Sequence, residues 1–300
     1  MLNEDKTIFE YRMKKEETYS DMIKEENLKK NIEKISFFTS ACGYIDGYIY
    51  RPETYNFEEK LPVVFNFHGG GMVLKYCEQD GIYCQEIANK VGVAVVNVDY
   101  AVAPEYKFPL PIVSSYDFIV QFLNKSAQYS IDNSTIMLMG HSAGGYIATA
   151  LCVLNDLKKK FTIHGLIADY AVLKQDVLPS LRKSKDKEKA ISVTRMEQYY
   201  NWYFKKGEDT KNPLASPINA DGKIFPPTLV ISADYDALKQ EEVDFVNILL
   251  KNGVDVTYKN FEDTMHGFTH KWFDTFHEKQ SKKAWEMMQK FIQLQLKNKF

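Results

Sequence analysis

The sequence is first notable for what it has little of. No apolar run in its 300 residues exceeds the length of a strand, so no segment reads as a membrane span. Charge of either sign is barely in excess: 38 Lys and Arg against 40 Asp and Glu give a net charge of −2, which leaves no basic footprint for nucleic acid. Cysteine is scarce. Cys42, Cys77, Cys84 and Cys152 are too few and too irregularly spaced for a disulfide framework or a metal knot. The first residues are charged and no apolar stretch follows them, which predicts no secretory signal and a cytoplasmic location. Internal repeats and low-complexity linkers are absent.

Hydrophobic residues make up 45% of the chain, enough for one large α/β domain with a continuous core. Residues 5–34 carry scattered apolar positions without Pro or Gly and predict one or two amphipathic helices, read either as a solvated periphery or as part of a lid. Residues 35–40 and 43–52 read as a hairpin. The runs 61–67, 93–98, 132–138, 161–168, 227–232 and 254–259 read as strands, several apolar throughout as in a sheet covered on both faces. Helical patterns lie between them, near 79–90, 112–125, 146–151 and 239–251, and a last one spans 279–297. Alternation of strand and helix predicts a mostly parallel, doubly wound sheet. It breaks over 171–217, an excursion predicted to be helical. Its charge run from Arg182 to Lys189 reads as solvated surface. Its aromatics Tyr199, Tyr200, Trp202, Tyr203 and Phe204 read as packing onto the core.

The stretch Gly140-His141-Ser142-Ala143-Gly144 joins an apolar strand to a helix. That is the setting of a G-x-S-x-G nucleophile turn, where glycines admit a tight bend and the serine hydroxyl projects beyond the sheet. A serine needs a base to take its proton and a carboxylate to orient the base. In an open α/β sheet both partners belong in loops after later strands. His266 lies in the loop after 254–261, and Asp234 and Asp236 both lie in the loop after 227–232. His68-Gly69-Gly70-Gly71 follows the strand 61–67. With no Gly-Lys-Ser/Thr after it, the run is no phosphate loop. Gly70 and Gly71 N–H, with Ala143 N–H, suit a developing oxyanion. His68 reads as a brace for that loop. His266 and His270 lie four apart but have no acidic ligand motif between them, so neither a metal nor any other cofactor is expected.

These motifs, together with Asp99-Tyr100-Ala101-Val102-Ala103-Pro104-Glu105-Tyr106-Lys107-Phe108-Pro109, Tyr235-Asp236-Ala237-Leu238 and Met265-His266-Gly267-Phe268, resemble the hormone-sensitive-lipase family of α/β-hydrolases, the bacterial family IV esterases. The resemblance covers about residues 61–270. It implies the α/β-hydrolase fold over 1–300 as one domain, with a helical cap from about 1–33 and 171–215. It implies Asp236 as the acid of a Ser142–Asp236–His266 triad, which leaves Asp234 a helix-capping role. It also implies a carboxylesterase acting on small short- to medium-chain esters. A peptidase or amidase with the same triad, or a non-catalytic ligand-binding relative, are the alternatives, and a homodimer is compatible with the reading. The chain departs from the family pattern at His141, where an Asp is usual, at Ala101-Val102 in place of Arg-Leu, and at Ala237 in place of Pro.

Overall fold

A computed structural model describes residues 7–15, 32–56, 58–76 and 79–297. Its centre is an eight-stranded sheet. In chain order the strands are β1 (Glu33–Thr39), β2 (Gly43–Tyr50), β3 (Leu61–Phe67), β4 (Ala94–Asp99), β5 (Ile131–His141), β6 (Gly165–Asp169), β7 (Thr228–Ala233) and β8 (Val256–Phe261). Their spatial order is β1-β2-β4-β3-β5-β6-β7-β8. The β1–β2 hairpin enters antiparallel against β4, and the other pairings are parallel.

Period-two side-chain alternation divides the core. On β3, Val63, Phe65 and Phe67 face one layer while Val64 faces the other. On β5, Ile136 and Leu138 face the first layer, Met137 and Met139 the second. The first layer is closed by α3 (Leu110–Asn124), α4 (Ala143–Lys158) and α6 (Lys239–Lys251), and the second by α2 (Gly81–Ile87) and α7 (Glu278–Lys297). Burial on both faces is why these strands lack polar alternation. The edge strands β1 and β8 do alternate, since only one face of each is covered.

The chain runs from β3 outward to β4, then crosses back over β3 to place β5 on its other side. Loops leaving β3 and β5 therefore diverge, and a crevice opens at their C-terminal ends, where ligands of such sheets bind.

Two expectations need correction. Residues 161–164 are irregular, and β6 begins only at Gly165. The excursion over 171–217 is mostly irregular chain; its one α-helix is α5 (Val193–Tyr203). Polar and charged residues dominate the part before α5, so little apolar surface is available to fix a helix there. At the N-terminus, residues 7–15 are helical (α1), and the rest of the predicted amphipathic stretch, 16–31, lies outside the described residues. The described cysteines, Cys42, Cys84 and Cys152, are free and buried, and Cys77 is outside the described residues. Among the described residues no helix is long and apolar enough to cross a membrane.

Candidate active site

Ser142 ends the turn between β5 and α4 with φ 55° and ψ −116°, a backbone region that side chains rarely occupy. Packing enforces it. A Cβ on Gly140 would stand 2.2 Å from the Gly144 carbonyl oxygen, and one on Gly144 would stand 1.9 Å from that of Phe67. Only glycine permits β3, the turn and α4 to meet so closely. The neighbouring strand holds the turn from the side. Ser142 N–H donates to the Asp169 carbonyl at 2.9 Å, and His141 Nδ1–H donates to Asp169 Oδ2 at 2.7 Å.

The three side chains picked out by motif converge. Asp236 is buried and accepts only, so His266 Nδ1 carries the hydrogen between them, at 2.5 Å. The remaining nitrogen, Nε2, thus offers its lone pair to the Ser142 hydroxyl, at 2.7 Å. The loops carrying Asp236 and His266 are tied through Thr264. Its carbonyl accepts from Tyr235 N–H at 2.9 Å and its hydroxyl from Asp234 N–H at 3.3 Å. Tyr170 lies edge-on to the His266 ring at 4.9 Å and fixes its tilt.

Asp234 does not cap α6. Its carboxylate pairs with Lys239 at 2.8 Å and Lys185 at 2.7 Å. Burial works against its charge, but the two ammonium groups outweigh that and hold the carboxyl well below the usual range. The turn bond belongs to Asp236, whose Oδ1 accepts from Leu238 N–H at 3.1 Å while Oδ2 serves His266. Behind Asp236, burial raises the Glu242 carboxyl well above its ordinary value, and the negative charge of Asp236 adds to the shift.

Gly70 and Gly71 adopt φ 134° and 62°. Among the described residues their N–H groups, and that of Ala143, are taken by no protein acceptor. The loop they sit in is braced on two sides. Tyr100 donates to the His68 carbonyl at 2.8 Å and stacks on the His68 ring at 4.4 Å, while Ala103 N–H donates to Met72 O at 2.8 Å. Residues 99–105 thus act as a backstop to the glycine run.

Arg12 was not legible as a site residue. It reaches from α1 to Val73 O at 2.6 Å, pairs in two places with Glu105 at 2.6 and 2.8 Å, and also donates to Ala103 O. It fastens α1 to both the glycine loop and its backstop. Tyr11, one residue earlier, shares a 2.6 Å hydrogen bond with Tyr199 of α5. Tyr199 in turn lies over Gly71, where a Cβ would stand 2.5 Å from its ring.

A cavity of about 270 Å³ opens above Ser142 and His266. Its walls include Tyr11, Leu74, Val172, Met196, Tyr199 and Tyr200. Tyr199 and Tyr200 pack against the core as expected and also wall the cavity, while Trp202, Tyr203 and Phe204 are buried. The charge run is not all solvated surface either. The Arg182 side chain is buried against Glu241 and donates to the Lys174 carbonyl.

A family model described as alpha/beta hydrolase fold matches residues 64–270. A protein of Acanthamoeba polyphaga mimivirus described as an alpha/beta hydrolase is 32% identical over 213 residues, 70% of this chain and 62% of the viral one. Esterase LipI of Mycobacterium tuberculosis is 30% identical over 232 residues, covering 76% of this chain and 72% of its own. The hyperthermophilic esterase of the archaeon Pyrobaculum calidifontis superposes with a TM-score of 0.80 at 27% identity, over 92% of this chain and 90% of that one. The sheet order, the strained serine turn and these matches agree: the chain belongs to the alpha/beta hydrolase fold family, of the hormone-sensitive-lipase type.

Proposed function

We propose that the protein is a serine carboxylesterase whose triad is Ser142, His266 and Asp236, with Gly70, Gly71 and Ala143 N–H as the oxyanion donors. The observation that carries it is the unbroken relay from Ser142 Oγ through His266 to Asp236, at 2.7 and 2.5 Å. His266 Nε2 takes the hydroxyl proton as Oγ attacks the ester carbonyl. The carbonyl oxygen gains negative charge and the three N–H groups stabilise it, each contributing on the order of 3 kcal/mol. His266, now protonated and stabilised by Asp236, gives its proton to the departing alcohol. Water then enters, loses a proton to the same nitrogen and releases the acid from Ser142.

The substrate would be a small ester with a short to medium acyl chain. A cavity of about 270 Å³ is at the low end for ligand sites. Much of its wall comes from α1 and from the stretch 172–200, the two pieces we assign to the cap. Free buried thiols suit a reducing compartment, which supports a cytoplasmic location.

Hydrolysis of p-nitrophenyl acetate and butyrate by the wild type and by Ser142→Ala tests the reading. The wild type should turn both over, and the variant should fold normally and lose at least about 10⁴-fold in kcat. A folded wild type no faster than Ser142→Ala would end the proposal. Faster cleavage of aminoacyl p-nitroanilides than of esters would replace it with an amidase.

A further inference from the structure

Beneath the floor of the cavity lie three side chains that the esterase reading does not use. Asp80, His141 and His270 are each at most 1% exposed. One ligand-type atom from each lies within 4.8 Å of the others; His270 Nε2 faces Asp80 Oδ1 at 3.1 Å, and His141 Nε2 has no hydrogen-bond partner among the described residues. Buried ligand-type atoms crowded around one point, one of them without a partner, carry a desolvation cost unless something sits between them.

One arrangement of the bonds behind these atoms leaves both rings free to ligate. His141 donates from Nδ1 to Asp169 Oδ2 at 2.7 Å, which leaves Nε2 with its lone pair. Thr269 donates its hydroxyl to the same oxygen at 3.1 Å. The Thr269 oxygen can then accept from the Tyr170 hydroxyl at 2.6 Å, and the Tyr170 oxygen from His270 Nδ1–H at 2.9 Å. In that arrangement the chain of donors ends on Asp169 and His270 Nε2 keeps its lone pair. The third group, Asp80, accepts from Asn66 Nδ2 on Oδ2 at 2.7 Å and turns Oδ1 toward His270. Histidines that ligate a metal through one nitrogen and donate from the other to a carboxylate or hydroxyl are the usual outer shell of zinc sites. Spacing fits too. Donors about 2.0–2.1 Å from a tetrahedral ion stand roughly 3.3 Å apart, and Asp80 Oδ1 lies 3.1 Å from His270 Nε2.

We propose that Asp80, His141 and His270 bind one divalent transition-metal ion of the zinc class, with a water completing a four-coordinate shell. Two imidazoles and one carboxylate are ligands of borderline softness, suited to Zn²⁺ or Co²⁺ rather than to Ca²⁺ or Mg²⁺. His141 and His270 also border the cavity above, which supplies an entry path. The three ligands come from the loop after β3, the end of β5 and the loop after β8, the segments that carry Gly70, Ser142 and His266. The ion would clamp these three together. It takes no part in acyl transfer, so the assignment stands or falls separately from the esterase reading.

Chelator-stripped protein titrated with Co²⁺ tests it through the visible absorption of tetrahedral cobalt. Wild type should develop the band and saturate at one equivalent, with Zn²⁺ bleaching it. Asp80→Asn and His270→Gln, each shown folded by circular dichroism, should lose the band, while His277→Gln, outside the cluster, should keep it. Zn²⁺ at about a hundredfold excess over its Kd should raise the wild-type Tm by several degrees, roughly 3–6 °C, and leave His270→Gln unmoved. No band and no Tm shift in the wild type overturns the proposal. So does a band of equal strength in folded Asp80→Asn and His270→Gln.

Discussion

Replacing Arg12 by Ala should loosen the active site from a distance. Arg12 is 4% exposed, and its guanidinium holds three partners at once: the carbonyls of Val73 and Ala103, and the Glu105 carboxylate. Removing one member of a fully buried ion pair costs about 3–5 kcal/mol. Here the Glu105 side chain is 39% exposed, so water recovers much of the orphaned carboxylate, and the pair itself is worth nearer 1 kcal/mol. The two carbonyls left without their donor add on the order of 1 kcal/mol each. The total is about 3 kcal/mol, which multiplies the undocked fraction of α1 roughly a hundredfold. Tyr11 departs with the helix, and Tyr199 loses its hydroxyl partner over the cavity. KM for p-nitrophenyl butyrate should therefore rise several-fold and kcat fall less, since no group of the relay moves. Urea unfolding should register a loss of about 2–3 kcal/mol. Arg12→Lys should recover less than half, because an ammonium cannot span both carboxylate oxygens and the carbonyls together. A double-mutant cycle with Glu105→Gln should return a coupling of about 1 kcal/mol. An Arg12→Ala protein within 0.5 kcal/mol of wild type, with KM unchanged, would refute this account of how α1 is attached.

Two further perturbations test neighbouring parts of the site. Gly71→Ala places a Cβ 2.5 Å from the Tyr199 ring at φ 62°, so kcat should fall about 10–100-fold with a loss in Tm of only a few degrees, and Tyr199→Ala should restore part of the kcat in the double variant; no recovery would mean that backbone strain alone is responsible. Burial and the Asp236 charge raise the Glu242 carboxyl, so the folded state binds this proton more tightly than the unfolded chain, and stability from this group is full below the ordinary carboxyl pKa and declines as pH rises toward the folded value, by about 1.4 kcal/mol per pH unit inside that window. Glu242→Gln mimics the protonated form, so its Tm should match wild type near pH 4.5 and exceed it at pH 9; equal Tm values at both pH values would contradict it.

The parts of the fold that could be read in advance were those where local chemistry and global position agree. Strands β3, β4 and β5 are apolar on both faces because helices cover both. The serine turn declared itself through glycines that no other residue could replace at 1.9–2.2 Å approaches. Residues whose roles depend on distant partners were opaque. Arg12 looked like one more charge on a solvated helix, since its three partners lie near residues 73, 103 and 105. Arg182 sat in a run of charges, and only Glu241 of α6 explains why it is buried. Asp234 and Asp236 could not be separated by their own surroundings in the sequence; the resemblance chose between them, and Lys185 and Lys239 account for the one it set aside. The Asp80–His141–His270 cluster left no trace in spacing, because its members come from three separate segments: the loop after β3, the end of β5 and the loop after β8.

The walls of the cavity and the residues of the relay belong to different stretches of chain. The relay hangs from β5, β7 and β8, locked by Asp169 and Thr264, whereas much of the wall is held elsewhere, α5 by Tyr146 of α4, which donates to Leu214 O and meets Tyr203, and α1 by Arg12. Substitutions at Val172, Met196 or Tyr200 can therefore reshape what fits without disturbing how it is cut. A protein built this way can exchange one diet for another by redrawing a few wall residues, while the cutting edge below keeps its set.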